Sequence, residues 1–333
     1  MDSSRRPRLT AAIADVRRAV RAALPAPRAE PAETLVLVAL SGGPDSLALA
    51  AATGFEAPRI GIRAGGVIVD HGLQPGSAEV AARAAEQARS LGLDPVIIRV
   101  VAVDALGGPE AAARAARYAA LDGAASETGA VLVLLGHTLD DQAETVLLGL
   151  ARGSGPTSLH GMSPVAGRYA RPLLGIRRSS TLQFCEDSGL EPWVDPQNAD
   201  PSFARVRVRE TVLPLLEREL GPGIAEALAR TAEQLREDSD ALDHFAEELT
   251  EELAELAESG ISLPVRALAS NPPALRQRLI RLAVEGEFHV SLSRAQTLQV
   301  SRLITHWHGQ KALDLPGVRV ERRGSLLIFT ANG

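Results

Sequence analysis

The sequence predicts a doubly wound α/β domain with a parallel sheet, followed by a smaller, mainly helical C-terminal domain. Three observations predict it. Apolar runs of strand length begin near residues 34, 66, 95 and 130, the spacing of parallel strands joined by crossovers. An Ala-rich, helix-forming stretch follows each run. The first run, Thr34 to Leu40, is apolar without alternation, as a strand buried on both faces requires.

The elements follow in order. Met1 to Leu24 mixes Arg5, Arg6, Arg8, Asp15, Arg17 and Arg18 with Ala and Leu. It reads as an amphipathic surface helix and lacks the unbroken apolar centre of a signal peptide. After an Ala/Pro linker (25–31), the Thr34–Leu40 strand leads through a Gly-rich turn at Ser41 into a helix over Asp45–Thr53. Gly66–Asp70 is the second strand, and Ser77–Leu91 a helix with Ser77 as its cap. Pro95–Val103 is the third strand, and Pro109, in a first-turn position, opens a helix to about Thr128. Ala130–Leu135 is the fourth strand and Asp140–Ala151 its helix, which completes the sheet by about residue 150. The stretch 152–201 is loop-rich, with a helix near Arg178–Ser188; Ala204–Leu220 is a helix interrupted or kinked at Pro214. The breaker Gly221-Pro222-Gly223 sets the boundary between domains 1–222 and 223–333. Beyond it, Ile224–Glu258 repeats apolar residues at helical spacing, as one long helix or one broken once; helices over Pro273–Glu285 and Ser293–Trp307 follow, then short strands within Lys311–Thr330.

Composition excludes several classes of function. The single cysteine, Cys185, rules out a disulfide framework, a cysteine zinc site and chemistry that needs two thiols, and it suits a reducing cytosol. The seven His are scattered without metal-ligand spacing. No apolar run reaches the ~18 residues of a membrane span. The net charge of −6 is unevenly distributed: residues 226–258 carry −10 and residues 259–333 carry +6. Those segments are either two solvated surfaces or an acidic helix followed by a nucleic-acid grip.

In a doubly wound sheet, ligands sit beyond the carboxyl ends of the strands, and the polar motifs of this chain fall there. Ser41-Gly42-Gly43-Pro44-Asp45-Ser46 joins the first strand to its helix. A Gly-Gly turn brings backbone N–H groups close to an anion, and the helix N-terminus adds partial positive charge. Ser41 and Ser46 can donate to phosphate oxygens, whereas Asp45 makes sense as a Mg²⁺ ligand bridging to phosphate. The loop lacks the lysine of a Walker loop and the glycine spacing of the dinucleotide fingerprint. Asp70 and His71 end the second strand, as a site or as a structural turn. Glu110, Arg114 and Arg117 lie along one helix face, either as a salt bridge or with two guanidiniums aimed at a carboxylate or phosphate. After the fourth strand come His137, Asp140, Asp141 and Glu144. Three carboxylates exceed what a helix start needs, and hard oxygen donors suit Mg²⁺ held with a triphosphate.

The first loop resembles the pyrophosphate loop of ATP pyrophosphatases. Over about residues 34–220 the chain is similar to tRNA(Ile)-lysidine synthases. The similarity is carried by Ser41–Ser46, Val69–Leu73, Glu110–Tyr118, Gly136–Gly155, Arg171-Pro172-Leu173-Leu174, Trp193–Asn198 and Phe203–Arg209. The chain departs from the family pattern at Val206, which stands where Asn is usual, and at Gln74, which stands where a basic residue is common. Its length suits the short forms of the enzyme. The resemblance implies ATP with Mg²⁺, L-lysine and a tRNA(Ile) with a CAU anticodon, in a cytoplasmic monomer or homodimer with no membrane partner. ATP adenylates the 2-oxo group of the wobble cytidine, releasing pyrophosphate, and the lysine ε-amine then displaces AMP to give lysidine.

The site residues expected on this resemblance are Ser41, Gly42, Gly43, Pro44, Asp45, Ser46, Asp70 and His71 for the nucleotide. Asp45, Asp141 and Glu144 are expected to hold metal. Arg114, Arg205 and His137 join those three in the chemistry, with either a carboxylate or His137 accepting the amine's proton. Arg205 and Arg209 share a helix face that Arg207 does not. A tRNA thiolase would need paired cysteines, a small-molecule amide synthetase such as an NAD synthetase would not need the Arg-rich C-terminal segment, and a non-catalytic tRNA binder would not need the acidic set.

Overall fold

The computed structural model describes residues 9–27, 34–72, 76–101, 109–153, 155–195, 199–257 and 260–332. Met1 to Arg8, Leu73, Gln74, the 102–103 end of the third expected strand, the Glu110 side chain, Pro196–Asn198 and Glu258 lie outside the described structure. The chain forms two compact units, Met1–Glu233 and Gln234–Gly333.

The first unit is built on strands β1 (Leu35–Ala39), β2 (Arg63–Asp70), β3 (Val96–Val100), β4 (Leu132–Leu134), β5 (Val165–Ala166) and β6 (Tyr169–Ala170), in sheet order β3-β2-β1-β4-β6-β5. All pairings are parallel except β5–β6. The sheet is therefore not complete by residue 150. The β5–β6 hairpin, too short to show a period in sequence, adds two strands. Residues of β1 alternate between the two faces: Val36 and Val38 belong to the core under α1 (Ala11–Ala23) and α2 (Pro44–Glu56), while Leu35, Leu37 and Ala39 belong to the core under α4 (Pro109–Thr128). Burial on both faces is what made the run continuously apolar.

Helix α1 buries Ile13, Val16 and Val20 and is pinned by Arg17 and Arg21 to the buried Glu56 carboxylate at 2.6 and 2.7 Å. Helix α3 (Ser77–Ser90) starts at Gly76, so Ser77 is its first residue and not its cap. Helix α5 (Leu139–Arg152) follows β4; α6 (Pro156–Leu159) is a single turn, and α7 is Arg178–Asp187. The expected kink near Pro214 is a π turn, Val208–Val212, between α8 (Ala204–Arg207) and α9 (Leu213–Leu220). Pro214 has no N–H to donate back into that turn.

Gly221-Pro222-Gly223 does separate two helices, but α10 runs Ile224–Leu253 and the compact units part within it. Ala225 joins Leu139, Ala143, Val208 and Leu213 in a core cluster of the first unit. The expected helix to Glu258 stops earlier, because Glu255–Ala257 is a strand, β7. In the second unit, β7, β8 (Gly260–Pro264), β9 (Leu313–Leu315), β10 (Val318–Arg323) and β11 (Leu326–Ala331) form an antiparallel sheet in order β7-β8-β11-β10-β9. It encloses a core with α11 (Val265–Ser270), α12 (Pro273–Phe288) and α13 (Arg294–Thr305). Helix α13 starts in a capping box of Ser293 and Gln296. The strands expected within 311–330 are thus part of a larger sheet. No described helix is long and apolar enough to cross a membrane.

Candidate functional site

The strand order reverses around β1: β2 and β3 lie on one side, β4 on the other. The crevice beyond the carboxyl ends of β1 and β4 is therefore the switch point of the sheet, where such folds bind ligands. The chain places the Ser41–Ser46 loop after β1 and Gly136–Glu144 after β4.

The loop is built from its own side chains. Gly42 takes φ +84°, a conformation that a side chain would strain. The Ser46 hydroxyl donates to the Gly43 carbonyl at 3.0 Å and accepts from the Ser41 N–H at 3.1 Å, with the Ser41 hydroxyl 3.2 Å away. Pro44 opens α2 and puts Asp45 in its first turn. The β4 end presses directly on this loop: a Cβ on Gly136 would meet Ser46 N and Cα at 3.1 Å. The Trp193 N–H donates to the Gly42 carbonyl at 2.9 Å and brings a second wall against the loop.

Beside the loop opens a cavity of about 270 Å³, lined among others by Ser41, Asp70, His71, Arg117, Trp193 and Asp195, with apolar walls from β1 and β2. Asp70 accepts from the Gly72 N–H at 2.9 Å, which fixes the turn that carries His71. Burial, with Arg117 adding to it against Asp70, pushes the His71 pKa down. Burial also lowers Arg117, and among the described residues no carboxylate pairs with it. Arg114 does not join this group. It is exposed and lies over the Tyr118 ring, 4.9 Å from its centroid. Three residues further along the helix, Arg117 is the guanidinium that reaches the cavity.

The acidic residues do meet. Asp45, Asp141 and Glu144, from two helices, surround the Arg178 guanidinium at 3.4, 2.7 and 3.2 Å. Arg209 reaches Glu144 at 2.7 Å and Asp141 at 3.4 Å, and Arg205 reaches Glu144 at 3.4 Å. The shared face of Arg205 and Arg209 is thus turned to one carboxylate, while Arg207 donates instead to the Pro201 and Ser202 carbonyls. Asp141 divides its oxygens: one accepts from the Thr138 N–H and hydroxyl, both at 2.8 Å, and caps α5, while the other faces the arginines. Asp140 points to different partners and accepts from the Arg178 N–H at 2.7 Å.

The electrostatics separate the three acids. Burial disfavours the Asp141 charge, but Arg178 and the Thr138 bonds overcome it and hold the carboxyl below its usual range. Burial wins at Asp45: the Thr181 hydroxyl and Arg178 offset only part, Asp141 adds repulsion, and the pKa rises. Burial also pushes His137 down to about 4, with Asp141 opposing it and Arg117, Arg171 and Arg205 reinforcing it. The ring is therefore neutral at neutral pH, and its buried Nδ1 takes no hydrogen bond among the described residues.

Sequence reasoning singled out Arg117 together with Arg114 but missed Arg178 as the central cation of the acids. Arg178 carries no periodicity that marks contact with residues 34 to 133 positions away. As the side chains stand, no three His, Cys, Asp or Glu among the described residues are arranged to hold a metal, since Arg178 lies between the three acids.

Comparison with known proteins fits this geometry. A PP-loop domain model matches residues 16–216, and a TilS substrate binding domain model matches residues 263–326. The chain is similar to a tRNA(Ile)-lysidine synthase of Leifsonia xyli subsp. xyli, 64% identical over 323 residues, covering 93% of this chain and 97% of that protein. It is similar to another of that name from Thermobifida fusca, 53% identical, covering 93% and 95%. Among solved structures, a U34-tRNA thiolase from Methanococcus maripaludis shares the fold, with a TM-score of 0.55 and 21% identity over 68% of this chain and 80% of that one. The phosphate-loop crevice, a model match over most of the chain and relatives aligned almost end to end lead to one assignment: the chain belongs to the tRNA(Ile)-lysidine synthase family.

Proposed function

We propose that the protein uses ATP to join L-lysine to the wobble cytidine of a tRNA(Ile) with a CAU anticodon. It adenylates the cytosine 2-oxo group with loss of pyrophosphate, and the lysine ε-amine then displaces AMP. The observation that carries this reading is the convergence of Asp45, Asp141 and Glu144 at the switch point of the sheet, beside a Ser/Gly phosphate loop that also borders a cavity walled by β1 and β2. The 2-oxo oxygen is a poor leaving group, and adenylation makes it a good one. That step needs neutralisation of triphosphate charge more than covalent catalysis.

The loop from Ser41 to Ser46 binds phosphate through its N–H groups and hydroxyls. The cavity takes the nucleoside, and Arg117, a cation with no carboxylate partner among the described residues, meets the phosphate or the adenylate. Carboxylate oxygens are the hard donors Mg²⁺ prefers. The set fits the ion once one side chain, Arg178, moves. Asp45, Asp141 and Glu144 would then hold it, and it would screen the phosphate charge. Arg205 and Arg209 pair with Glu144 and orient it. Either a carboxylate of the site or the neutral ring of His137 accepts the amine's proton.

The second unit grips tRNA, as its charge suggests: residues 259–333 carry +6. The match of residues 263–326 to a substrate binding domain model supports the same division. The enzyme works as a cytoplasmic monomer or homodimer. Pyrophosphate release on mixing enzyme, ATP, Mg²⁺, lysine and tRNA(Ile) tests the reading. Release should require ATP, metal and tRNA, and labelled lysine should enter the tRNA. Release without tRNA would instead indicate a small-molecule synthetase.

A further inference from the structure

Three carboxylates and three guanidiniums meet in the crevice, and their formal charges cancel. Arg178 is the only one of the three arginines that touches all three acids, at 3.4 Å to Asp45, 2.7 Å to Asp141 and 3.2 Å to Glu144. It lies where a divalent ion bound by those oxygens would have to lie. The two cannot share the place, because both are positive and the same oxygens serve both. With Arg178 present the cluster has no net charge to attract a cation. With Arg178 withdrawn, Arg205 and Arg209 still hold Glu144 and Asp141, and the site becomes net negative.

The local structure lets the side chain leave without moving its backbone. The Arg178 N–H donates to Asp140 at 2.7 Å, and the Thr181 hydroxyl bonds both the Arg178 carbonyl, at 2.8 Å, and Asp45. The first turn of α7 is therefore pinned on both sides. The contact to Asp45 is the longest of the three, so Asp45 is the first oxygen a metal can take. Asp45 is also the residue next to the phosphate-loop hydroxyl of Ser46. A guanidinium that lets go of it finds phosphate oxygens as its next acceptors, in the bidentate geometry that arginine favours.

We propose that Arg178 is the resident counter-cation of the carboxylate cluster. A divalent metal must displace it, and the site accepts metal only together with a triphosphate that draws the guanidinium away. Arg178 is thus a positioning residue that couples metal binding to ATP binding. The coupling is reciprocal, since each ligand strengthens the other through the same side chain. This rests on the reading of Asp45, Asp141 and Glu144 as the metal carboxylates. It goes beyond that reading by setting the order in which the site fills.

The test is Mn²⁺ binding to the full-length, nucleotide-free enzyme, read by electron paramagnetic resonance. The wild type and Arg178→Lys should bind Mn²⁺ weakly. Arg178→Gln should bind it about tenfold tighter or more, within the usual range of coupling between sites. Adding Asp45→Asn to Arg178→Gln should abolish the gain. Melting curves establish that the variants are folded. The wild-type arm does not depend on any variant folding: if the wild type binds Mn²⁺ as tightly without nucleotide as with ATP, the inference is wrong. It is equally wrong if folded Arg178→Gln gains nothing. A gain that survives Asp45→Asn would place the metal elsewhere and overturn the underlying carboxylate assignment. Loss of metal-dependent pyrophosphate release in Asp45→Asn alone checks that assignment separately.

Discussion

Asp45→Asn should make the protein more stable and inactive at once. The carboxylate is held in a crevice where burial outweighs its partners, so the folded state favours the neutral acid more than the unfolded chain does. Its folded pKa is raised. The cost of ionising it is therefore fully present above that folded value and vanishes as pH falls through it towards the unfolded value of about 3.9. Asparagine is isosteric and keeps an oxygen to accept from the Thr181 hydroxyl. The ion pair lost is the longest of the three that Arg178 makes, 3.4 Å, and Arg178 keeps Asp141 at 2.7 Å and Glu144 at 3.2 Å. The gain at neutral pH should be about 0.5–2 kcal/mol, the usual yield of a single stabilising substitution, at about 2–4 °C in Tm per kcal/mol for a unit of this size. The assay is thermal melting across pH 4–8, paired with pyrophosphate release. The variant's advantage should shrink as pH falls, while its turnover stays at least about 10²-fold below wild type. Lower stability than wild type at neutral pH, or an advantage that does not change with pH, would refute the reasoning.

The neighbouring acid should behave in the opposite sense. Asp141 has a lowered folded pKa, so its stabilisation is present above about 3.9 and lost as pH falls below that. Asp141→Asn should cost roughly 1–3 kcal/mol at neutral pH in urea unfolding. Asp141→Asn and Glu144→Gln should each slow pyrophosphate release by about 10² or more while filter retention of tRNA is kept; lost tRNA binding with chemistry intact would move these acids to the RNA interface. Gly136→Ala should cost about 1–3 kcal/mol by overpacking and weaken ATP binding, because the new methyl would sit 3.1 Å from Ser46 backbone atoms. A fragment of residues 1–233 should bind ATP, but hold tRNA weakly and with a shallower salt dependence than the full chain. Ending it at 222 would strip Ala225 from the core it shares with Leu139 and Leu213 and confound the measurement.

Much of the catalytic unit was legible because its signals are local. The continuous apolar run of β1, the Gly-Gly turn and the acids at i and i+3 on α5 are each decided by neighbours within one or two turns of chain. Beyond that range the reading failed for physical reasons. The β5 and β6 strands are two residues each, too short for a period, and exist because β6 finds the open edge of β4. The helix expected to reach Glu258 gives way to β7, whose partner, β8, lies just beyond it and was itself not foreseen. Arg114 and Arg117 share a face by spacing, yet only the fold decides which one meets the cavity and which one covers Tyr118.

The arginines show the same limit in its sharpest form. Arg205 and Arg209 could be paired from sequence because four residues make one helical turn, and both do reach Glu144. Arg178 sits 133 residues from Asp45 and 34 from Glu144 along the chain. Nothing local distinguishes it from Arg177, which pairs instead with Asp140 and Glu226. An acidic cluster read from sequence alone invites a metal into the space between the acids. The folded chain supplies its own cation there first, and this follows from burial: Glu144 is fully enclosed and Asp141 nearly so, and uncompensated carboxylates in such a place would cost several kcal/mol. A site that must fold without its ligands therefore needs an internal counter-charge. That charge has to come from a side chain long enough to withdraw when the ligands arrive, a condition that Arg178 on its pinned turn meets.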